Sequence, residues 1–469
     1  MRIKRIMIAA PKSGSGKTVL TCALLQILKS DGYQVASFKC GPDYIDPMFH
    51  EKAIGVPSKN LDTFFTGEEQ TRRLFLNGIV EKDFAVLEGV MGLYDGLGGI
   101  REEGSSYHLA KVTGTPIVFV VDAKGMGRSV ISMIAGFLDY DRAHLIRGVI
   151  LNRISKGYYE MIKPLIEEEL KVPVLGFLPE KEELRIESRH LGLMMPDEFI
   201  NVKERLQTSA EQLRKTASIE KIMEIAEGTG ELQDDEAVET AGKIEKRDHP
   251  VIAVAKDEAF CFYYADNLSL LEKNGAEIIY FSPLRDPKLP ERCHALYLGG
   301  GYPELYAKEL SENRKMRTAV RSAVENGMPV VAECGGFMYL HSEIIDKEGI
   351  HWEMAGVFPA TCYYTGKLVR FGYIELQERQ SHFLPEGETI KGHEFHYYES
   401  TGNGEDAVAV KPVTGRTYSC MIGNEKLFCG FPHLYYPSNP AFAKSLVEKA
   451  GRYKRELEQE SYEKFVSFF

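Results

Sequence analysis

The chain has 469 residues, of which 44% are hydrophobic and 27% charged, and its formal net charge is −11. This length predicts two or more domains, and the composition excludes disordered and collagen-like proteins. The negative charge argues against nucleic acid and anionic membranes as partners. The eight cysteines lack metal-site spacing, and neither a secretory leader nor an apolar run of about 18 residues is recognisable. We therefore expect a cytoplasmic protein that does not enter a membrane.

A phosphate-binding loop is predicted at residues 10–18, between a strand-like apolar run and a helix-like segment. Small residues let successive N–H groups point at phosphate oxygens, and the helix N-terminus adds the positive end of its dipole. Pro11 departs from the strict Walker A pattern, whereas Lys12 fits its deviant form. The predicted nucleotide ligands are Lys12, Ser13, Gly14, Ser15, Gly16, Lys17 and Thr18, with Thr18 also on Mg²⁺.

Residues 1–200 are predicted to form a parallel α/β domain, because strand-like runs alternate with amphipathic helical stretches. Ligands of such sheets bind at the carboxyl ends of the strands. Candidate polar ligands follow three of the predicted strands. They are Asp43 for metal and substrate, Tyr44, Asp46 and His50 for substrate, Glu88 as a Walker B metal ligand, and Asn152 for the nucleotide base.

The rest of the chain is predicted to contain a linker, a second domain and a terminal helix. Residues 201–249 combine helical and charged stretches and predict the linker. A second α/β pattern covers residues 250–440, and residues 441–469 favour a charged helix.

A thiol nucleophile is predicted in the second domain. Cys334 lies between a strand-like run and a helix, with glycines that permit a sharp turn. Such an elbow exposes the sulfur, and the helix N-terminus favours the thiolate over the thiol. Glycines supply the predicted oxyanion site, at Gly300, Gly301 and Gly335. Three histidines compete for the role of base, His433, His393 and His396, and spacing alone does not choose between them.

Six motifs together resemble the cobyrinate a,c-diamide synthase family, the glutamine-dependent amidotransferases of corrin and cobalamin biosynthesis. They lie at residues 13–18, 39–47, 88–96, 257–264, 299–305 and 333–336. The resemblance implies a dethiobiotin-synthetase-like P-loop domain that phosphorylates substrate carboxylates and a class I glutaminase-like domain. It further implies that His433 pairs with Cys334 in a dyad. Class I glutaminases have an acid two residues after this histidine, where the present chain has Tyr435.

The activity implied by this resemblance is a carbon–nitrogen ligase reaction. ATP, Mg²⁺ and glutamine would serve to amidate the a and c carboxylates of cobyrinate through an acyl phosphate. Two alternatives stay open at this point: the same chemistry on nickel sirohydrochlorin or hydrogenobyrinate, and a partitioning-type ATP switch with a glutamine-sensing domain. The sequence also leaves open whether the protein forms a homodimer.

Overall fold

The structure, a computed structural model, describes residues 3–184, 202–232 and 249–467. The chain divides into two compact units, Met1–Glu239 and Thr240–Phe469. Across the described ranges, every helix is too short or too polar to cross a lipid bilayer.

A seven-stranded parallel sheet forms the centre of the first unit, with strand order β3-β2-β4-β1-β5-β6-β7. Its central strands are buried along nearly their whole length, as expected of a parallel sheet covered on both faces. The strands are β1 Lys4–Ala9, β2 Val35–Cys40, β3 Ser58–Leu61, β4 Phe84–Glu88, β5 Ile117–Asp122, β6 Ile146–Asn152 and β7 Val174–Leu178. The helices are α1 Lys17–Ser30, α2 Ile45–Phe49, α3 Thr63–Gly78, α4 Ser106–Thr113, α5 Ser129–Tyr140, α6 Lys156–Leu170, α7 Val202–Thr216 and α8 Ile219–Glu227.

The last two of these helices come from the segment that the sequence predicts as a linker. Helix α7 lies along α1, where Arg214 Nη2 is 2.5 Å from Asp31 Oδ1. After α8, the Thr229 hydroxyl donates to the carbonyl of Ile3 at 2.9 Å. Residues 202–232 therefore pack on the rest of the first unit, and residues 201 and 233–248 lie outside the described residues.

A six-stranded, mainly parallel sheet in the order β10-β8-β11-β13-β23-β22 forms the core of the second unit. An antiparallel sheet in the order β21-β20-β17-β18-β24 packs in the same unit, with two smaller sheets, β15-β14-β16-β19 and β12-β9. The strands are β8 Val251–Ala255, β9 Phe260–Phe262, β10 Glu277–Phe281, β11 Ala295–Leu298, β12 Gly300–Gly301, β13 Val330–Glu333, β14 His341–Ile345, β15 His351–Glu353, β16 Phe358–Tyr364, β17 Arg370–Glu378, β18 Thr389–His396, β19 Tyr398–Ser400, β20 Ala407–Val410, β21 Thr417–Cys420, β22 Ile422–Gly423, β23 Leu427–Gly430 and β24 His433–Leu434. The helices are α9 Ala265–Lys273, α10 Ala307–Glu312, α11 Arg314–Glu325, α12 Gly335–Leu340 and α13 Pro440–Ser467.

The predicted fold class is confirmed, with a parallel α/β unit followed by a second α/β unit. The terminal helix α13 begins at Pro440, and Phe442 and Leu446 on its first turns are buried in the core of the second unit. Glu88, Asn152 and Glu333 each end a parallel strand. Both candidate sites therefore lie where the fold class predicts ligands to bind.

Candidate nucleotide and glutamine sites

The predicted phosphate-binding loop joins β1 to α1. Gly14 and Gly16 adopt φ values of +74° and +98°, which glycine accepts without strain. A side chain at Gly16 has no room, because its Cβ would lie 2.2 Å from the Asn152 amide nitrogen. Lys17 Nζ donates to the carbonyls of Lys12 and Met91 at 3.2 and 2.6 Å, so this side chain folds over the loop.

Asn152 closes the loop from the neighbouring strand β6. Its amide nitrogen donates to the carbonyl of Ser15 at 2.8 Å. Arg153, which the sequence reasoning missed, donates to the carbonyl of Gly14 at 2.6 Å and lies 3.1 Å from Asp122 Oδ2. Arg153 directly follows Asn152 at the end of a predicted strand, and this position in the sequence could have identified it as a candidate. The two side chains fix the backbone of the loop.

A cavity of about 510 Å³ opens beside this loop. Its lining includes the predicted residues Ser13, Gly14, Gly16, Lys17, Thr18, Asp43, Asp46 and Asn152. Leu178 and Leu184 also line it and supply apolar surface. The structure thus brings most of the predicted nucleotide and substrate residues to one cavity. Lys12 lies exposed on the loop, and Tyr44 is buried outside the lining.

Glu88 is the centre of a buried charge cluster under the cavity. Its Oε1 accepts from Thr18 Oγ1 at 2.6 Å and from Lys39 Nζ at 3.0 Å. Lys39 also forms an ion pair with Asp46. Burial by itself would raise the pKa of Glu88, but Lys39, His50 and Thr18 outweigh it and hold that pKa well below its usual range. The carboxylate is therefore ionised at neutral pH.

His50 lies in the interior rather than in the cavity. It has no exposed surface, and its Nε2 is 3.1 Å from Glu88 Oε2. Its Nδ1 is 2.9 Å from the Ser37 hydroxyl. A serine hydroxyl can donate to Nδ1, which leaves Nε2–H to face the carboxylate. This placement favours orientation of Glu88 over direct contact with a substrate.

The residues present suit Mg²⁺ bound together with a nucleotide. Thr18 and Asp43 line the cavity, and the buried Glu88 lies behind Thr18 with its Oε1 2.6 Å from the Thr18 hydroxyl. Mg²⁺ takes few protein oxygens and completes its shell with phosphate oxygens and water. In the described ranges, no group of three or more His, Cys, Asp or Glu could hold a metal without such help.

Cys334 occupies a strained turn between β13 and α12. Its φ of +46° and ψ of −102° are unusual for a residue with a side chain. The turn is fixed because Cys334 N donates to the Gly430 carbonyl at 2.8 Å and Gly336 N donates to the Gly299 carbonyl at 2.9 Å. This is the sharp turn predicted for the nucleophile, but the prediction that the turn exposes the sulfur is wrong, because Cys334 is only 7% exposed.

The glycines predicted for the oxyanion site pack directly against this turn. A Cβ on Gly335 would lie 3.1 Å from the backbone nitrogen of Gly301. A Cβ on Gly300 would lie 2.3 Å from Cε1 of His433. The glycine strand β12 therefore touches both the nucleophile turn and the imidazole, and only residues without side chains allow this approach.

The three competing histidines come together on the antiparallel sheet. His393 on β18 pairs in register with His433 on β24, and their rings stack with centroids 5.2 Å apart. The His396 ring stacks on that of Phe431 with centroids 4.1 Å apart, and its Nε2 lies 3.8 Å from Glu394 Oε1. The imidazole that touches the glycine strand is that of His433, and this contact favours it as the base.

The protonation state of this site corrects one prediction. Burial, followed by the nearby Glu304, raises the pKa of the Cys334 thiol well above its usual range. Burial, together with His393 and His396, holds the pKa of His433 well below its usual range. The expectation of a resting thiolate at the helix N-terminus is therefore wrong, because desolvation outweighs the dipole of the six-residue helix α12.

Two family models match the two units. Residues 6–193 match the CobQ/CobB/MinD/ParA nucleotide binding domain, and residues 251–440 match the CobB/CobQ-like glutamine amidotransferase domain. With the phosphate-binding loop and the cysteine elbow, these matches define a glutamine-dependent amidating ligase that has a nucleotide-binding domain.

The curated relatives narrow this class to one family. A cobyrinate a,c-diamide synthase of Caldanaerobacter subterraneus subsp. tengcongensis is 42% identical over 91% of this chain and 92% of its own length. Those of Clostridium tetani and Thermoplasma volcanium are 38% and 37% identical over 95% and 98% of this chain, and both match over 100% of their own length. The chain belongs to the cobyrinate a,c-diamide synthase family.

Proposed function

We propose that the protein amidates the a and c carboxylates of cobyrinate, using ATP and glutamine. The observation that carries this proposal is the similarity over nearly the whole chain to relatives named for that reaction, combined with a phosphate-binding loop and a cysteine elbow in one chain. Both halves of the chemistry have candidate residues, one set in each unit.

The first unit would activate the carboxylate. A carboxylate is a poor electrophile because oxide is a poor leaving group, so its oxygen attacks the γ-phosphorus of ATP and ADP leaves. Lys17 binds the phosphates, and Thr18 and Glu88 would hold Mg²⁺, which neutralises the charge of the transferring phosphoryl group. Asp43 and Asp46 line the cavity and are proposed to bind metal or substrate.

The second unit would release ammonia. His433 takes the proton of Cys334 as the sulfur attacks the glutamine side-chain amide, and it returns that proton to the departing nitrogen. The glycine N–H groups of β12 and the nucleophile turn are proposed to stabilise the oxyanion. Water then cleaves the thioester to glutamate. Ammonia attacks the acyl phosphate, which gives the amide and inorganic phosphate.

Mass spectrometry of candidate macrocycles tests the substrate. The protein is incubated with Mg²⁺, ATP and glutamine, and with cobyrinate, hydrogenobyrinate or nickel sirohydrochlorin in parallel. Conversion of two carboxyl groups of cobyrinate to amides, in preference to the other two macrocycles, supports the proposal. ATP-driven dimerisation without amidation of any macrocycle would contradict it and favour a nucleotide switch.

A further inference from the structure

The backbone of Leu434, the residue that follows His433, is bonded at both its N–H and its carbonyl by buried side chains. The nitrogen of Leu434 donates to Glu333 Oε1 at 3.2 Å, and its carbonyl oxygen accepts from Asn267 Nδ2 at 2.8 Å. Glu333 is 1% exposed and Asn267 is fully buried. Water does not compete for these two bonds, so they constrain the backbone more than exposed ones would.

Each of the two side chains is fixed by a further partner. Glu333 Oε2 accepts from the Tyr297 hydroxyl at 3.1 Å, and Tyr297 lies on β11, the parallel neighbour of β13. Asn267 lies on α9, and its Oδ1 accepts from the nitrogen of Tyr436 at 2.8 Å. The backbone of Leu434 is therefore tied through its N–H to the central sheet and through its carbonyl to α9.

We propose that Glu333 and Asn267 are positioning residues for ammonia release, an inference that rests on the proposed Cys334–His433 site. Glu333 directly precedes the nucleophile and bonds the residue that directly follows the base. One side chain thus links the two segments that carry the chemistry. This bond would fix the position of β24 relative to β13, and with it the distance between thiol and imidazole.

We call the bonds from Glu333 and Asn267 to the backbone of Leu434 the clamp. The clamp would orient the His433 imidazole, a role that an acid at residue 435 has in class I glutaminases. Tyr435 stands there instead, and its hydroxyl donates to Asp266 Oδ2 at 3.1 Å. Burial raises the pKa of Glu333 to about 8, so this carboxyl is mostly protonated at neutral pH. A glutamine has the same shape as a protonated glutamate, keeps an oxygen that accepts from the nitrogen of Leu434, and offers an N–H that can donate to the Tyr297 hydroxyl. Glu333→Gln should therefore preserve the clamp, whereas Glu333→Leu should remove it.

The test measures glutaminase kcat and KM for glutamine, and amidation from ammonium salts, in Glu333→Leu and Glu333→Gln. Glu378→Leu is the matched control, because Glu378 also accepts from two backbone N–H groups, those of Phe383 and Leu384, at 2.9 and 2.6 Å. It lies in the second unit on β17 and has no bond to the residues of the clamp. Cys334→Ala is run alongside to test the site itself.

Loss of the clamp should lower kcat for glutamine about 100-fold, the size expected when a reacting group is misplaced by about 1 Å. KM for glutamine and amidation from ammonium should stay close to wild type, and Glu333→Gln should restore kcat. Equal kcat in Glu333→Leu and Glu378→Leu would overturn the inference. So would a Glu333→Leu protein that folds but loses both activities together.

A second variant tests the clamp if the Glu333→Leu protein does not fold. Asn267→Leu removes the bond to the carbonyl of the same residue, Leu434, and the same loss of kcat with unchanged KM is expected of it. Wild-type kcat in a folded Asn267→Leu protein would count against the clamp. Persistence of glutamine use in Cys334→Ala would instead contradict the proposed function, whatever the clamp variants do.

Discussion

The two candidate sites bury their ionisable groups in opposite ways. In the first unit Glu88 and Lys39 are both buried and oppositely charged, and each stabilises the charge of the other. In the second unit Cys334 and His433 are as deeply buried, but burial favours their neutral forms. One site is prepared in its charged state, and the other acquires charge only when a proton moves from sulfur to nitrogen.

This difference suits what each site is proposed to do. Phosphoryl transfer needs fixed charges around an anion before the reaction starts. In the absence of substrate, a thiolate would react with oxidants and other electrophiles, whereas a neutral thiol is much less reactive. Proton transfer that waits for glutamine keeps the nucleophile inert until it is needed.

Cys334→Ala should have the largest effect and should separate the two sites. Glutamine-dependent amidation should fall about 10⁴-fold or more, because the nucleophile is removed. Amidation from ammonium salts should continue, since the first unit is intact. Parallel assays with glutamine and with ammonium chloride measure both, and loss of both activities would show that the two sites do not divide the reaction in this way.

Lys39→Met should disrupt the charged site through folding as well as chemistry. The substitution leaves Asp46 and Glu88 buried without their cation, which is expected to cost about 3–5 kcal/mol of stability. Denaturant unfolding of the first unit measures this loss. Lys111→Met, which removes an exposed pair with Glu102, is the control and should change stability by less than about 1 kcal/mol.

Gly300→Ala should damage the neutral site while leaving the charged one untouched. The added Cβ would lie 2.3 Å from the His433 ring, so the imidazole must move. We expect glutamine-dependent turnover to fall about 100-fold with ammonium-dependent turnover unchanged. Gly157→Ala on α6, where nothing lies within 4 Å, is the matched control. Unchanged turnover with glutamine in Gly300→Ala would contradict the assignment of His433.

The smallest expected effect is the pH dependence of ATP binding. Burial, followed by the nearby Lys39, lowers the pKa of Lys17 to about 8 in the nucleotide-free protein. Bound phosphates favour the charged amine and raise this pKa, so affinity should fall as the pH rises above about 8, by at most tenfold per pH unit. Calorimetry at pH 8.5 in buffers of different ionisation enthalpy should show proton uptake on binding. Uptake that persists in Lys17→Met would assign the proton to another group.

The sequence predicts the local parts of both sites better than their connections. Lys17, Thr18 and Glu88 are recognisable because loop, strand and helix follow one another along the chain. The contact between His50 and Glu88 and the bond between Glu333 and Leu434 join segments that are far apart in sequence. Both contacts depend on which strands become neighbours in the folded protein, and the order of the strands in the sheets is set by tertiary packing.

The state of Cys334 could not be predicted from the sequence for a related reason. A cysteine at a helix N-terminus is a pattern that favours the thiolate, and this pattern can be read along the chain. Desolvation by β12 and by the surrounding core depends on segments distant in sequence, and it reverses the direction of the pKa shift. The structure therefore contains the expected turn at Cys334, but with a buried, neutral thiol in it.

In the proposed reaction the first unit activates a carboxylate and the second supplies only ammonia. The most direct test follows ¹⁸O from labelled cobyrinate carboxylates in the Cys334→Ala protein, with ATP and ammonium as the other substrates. An acyl phosphate predicts that each amide formed transfers one ¹⁸O atom to inorganic phosphate, detectable by mass spectrometry. Amidation that leaves the phosphate unlabelled, or no amidation at all, would contradict the claim.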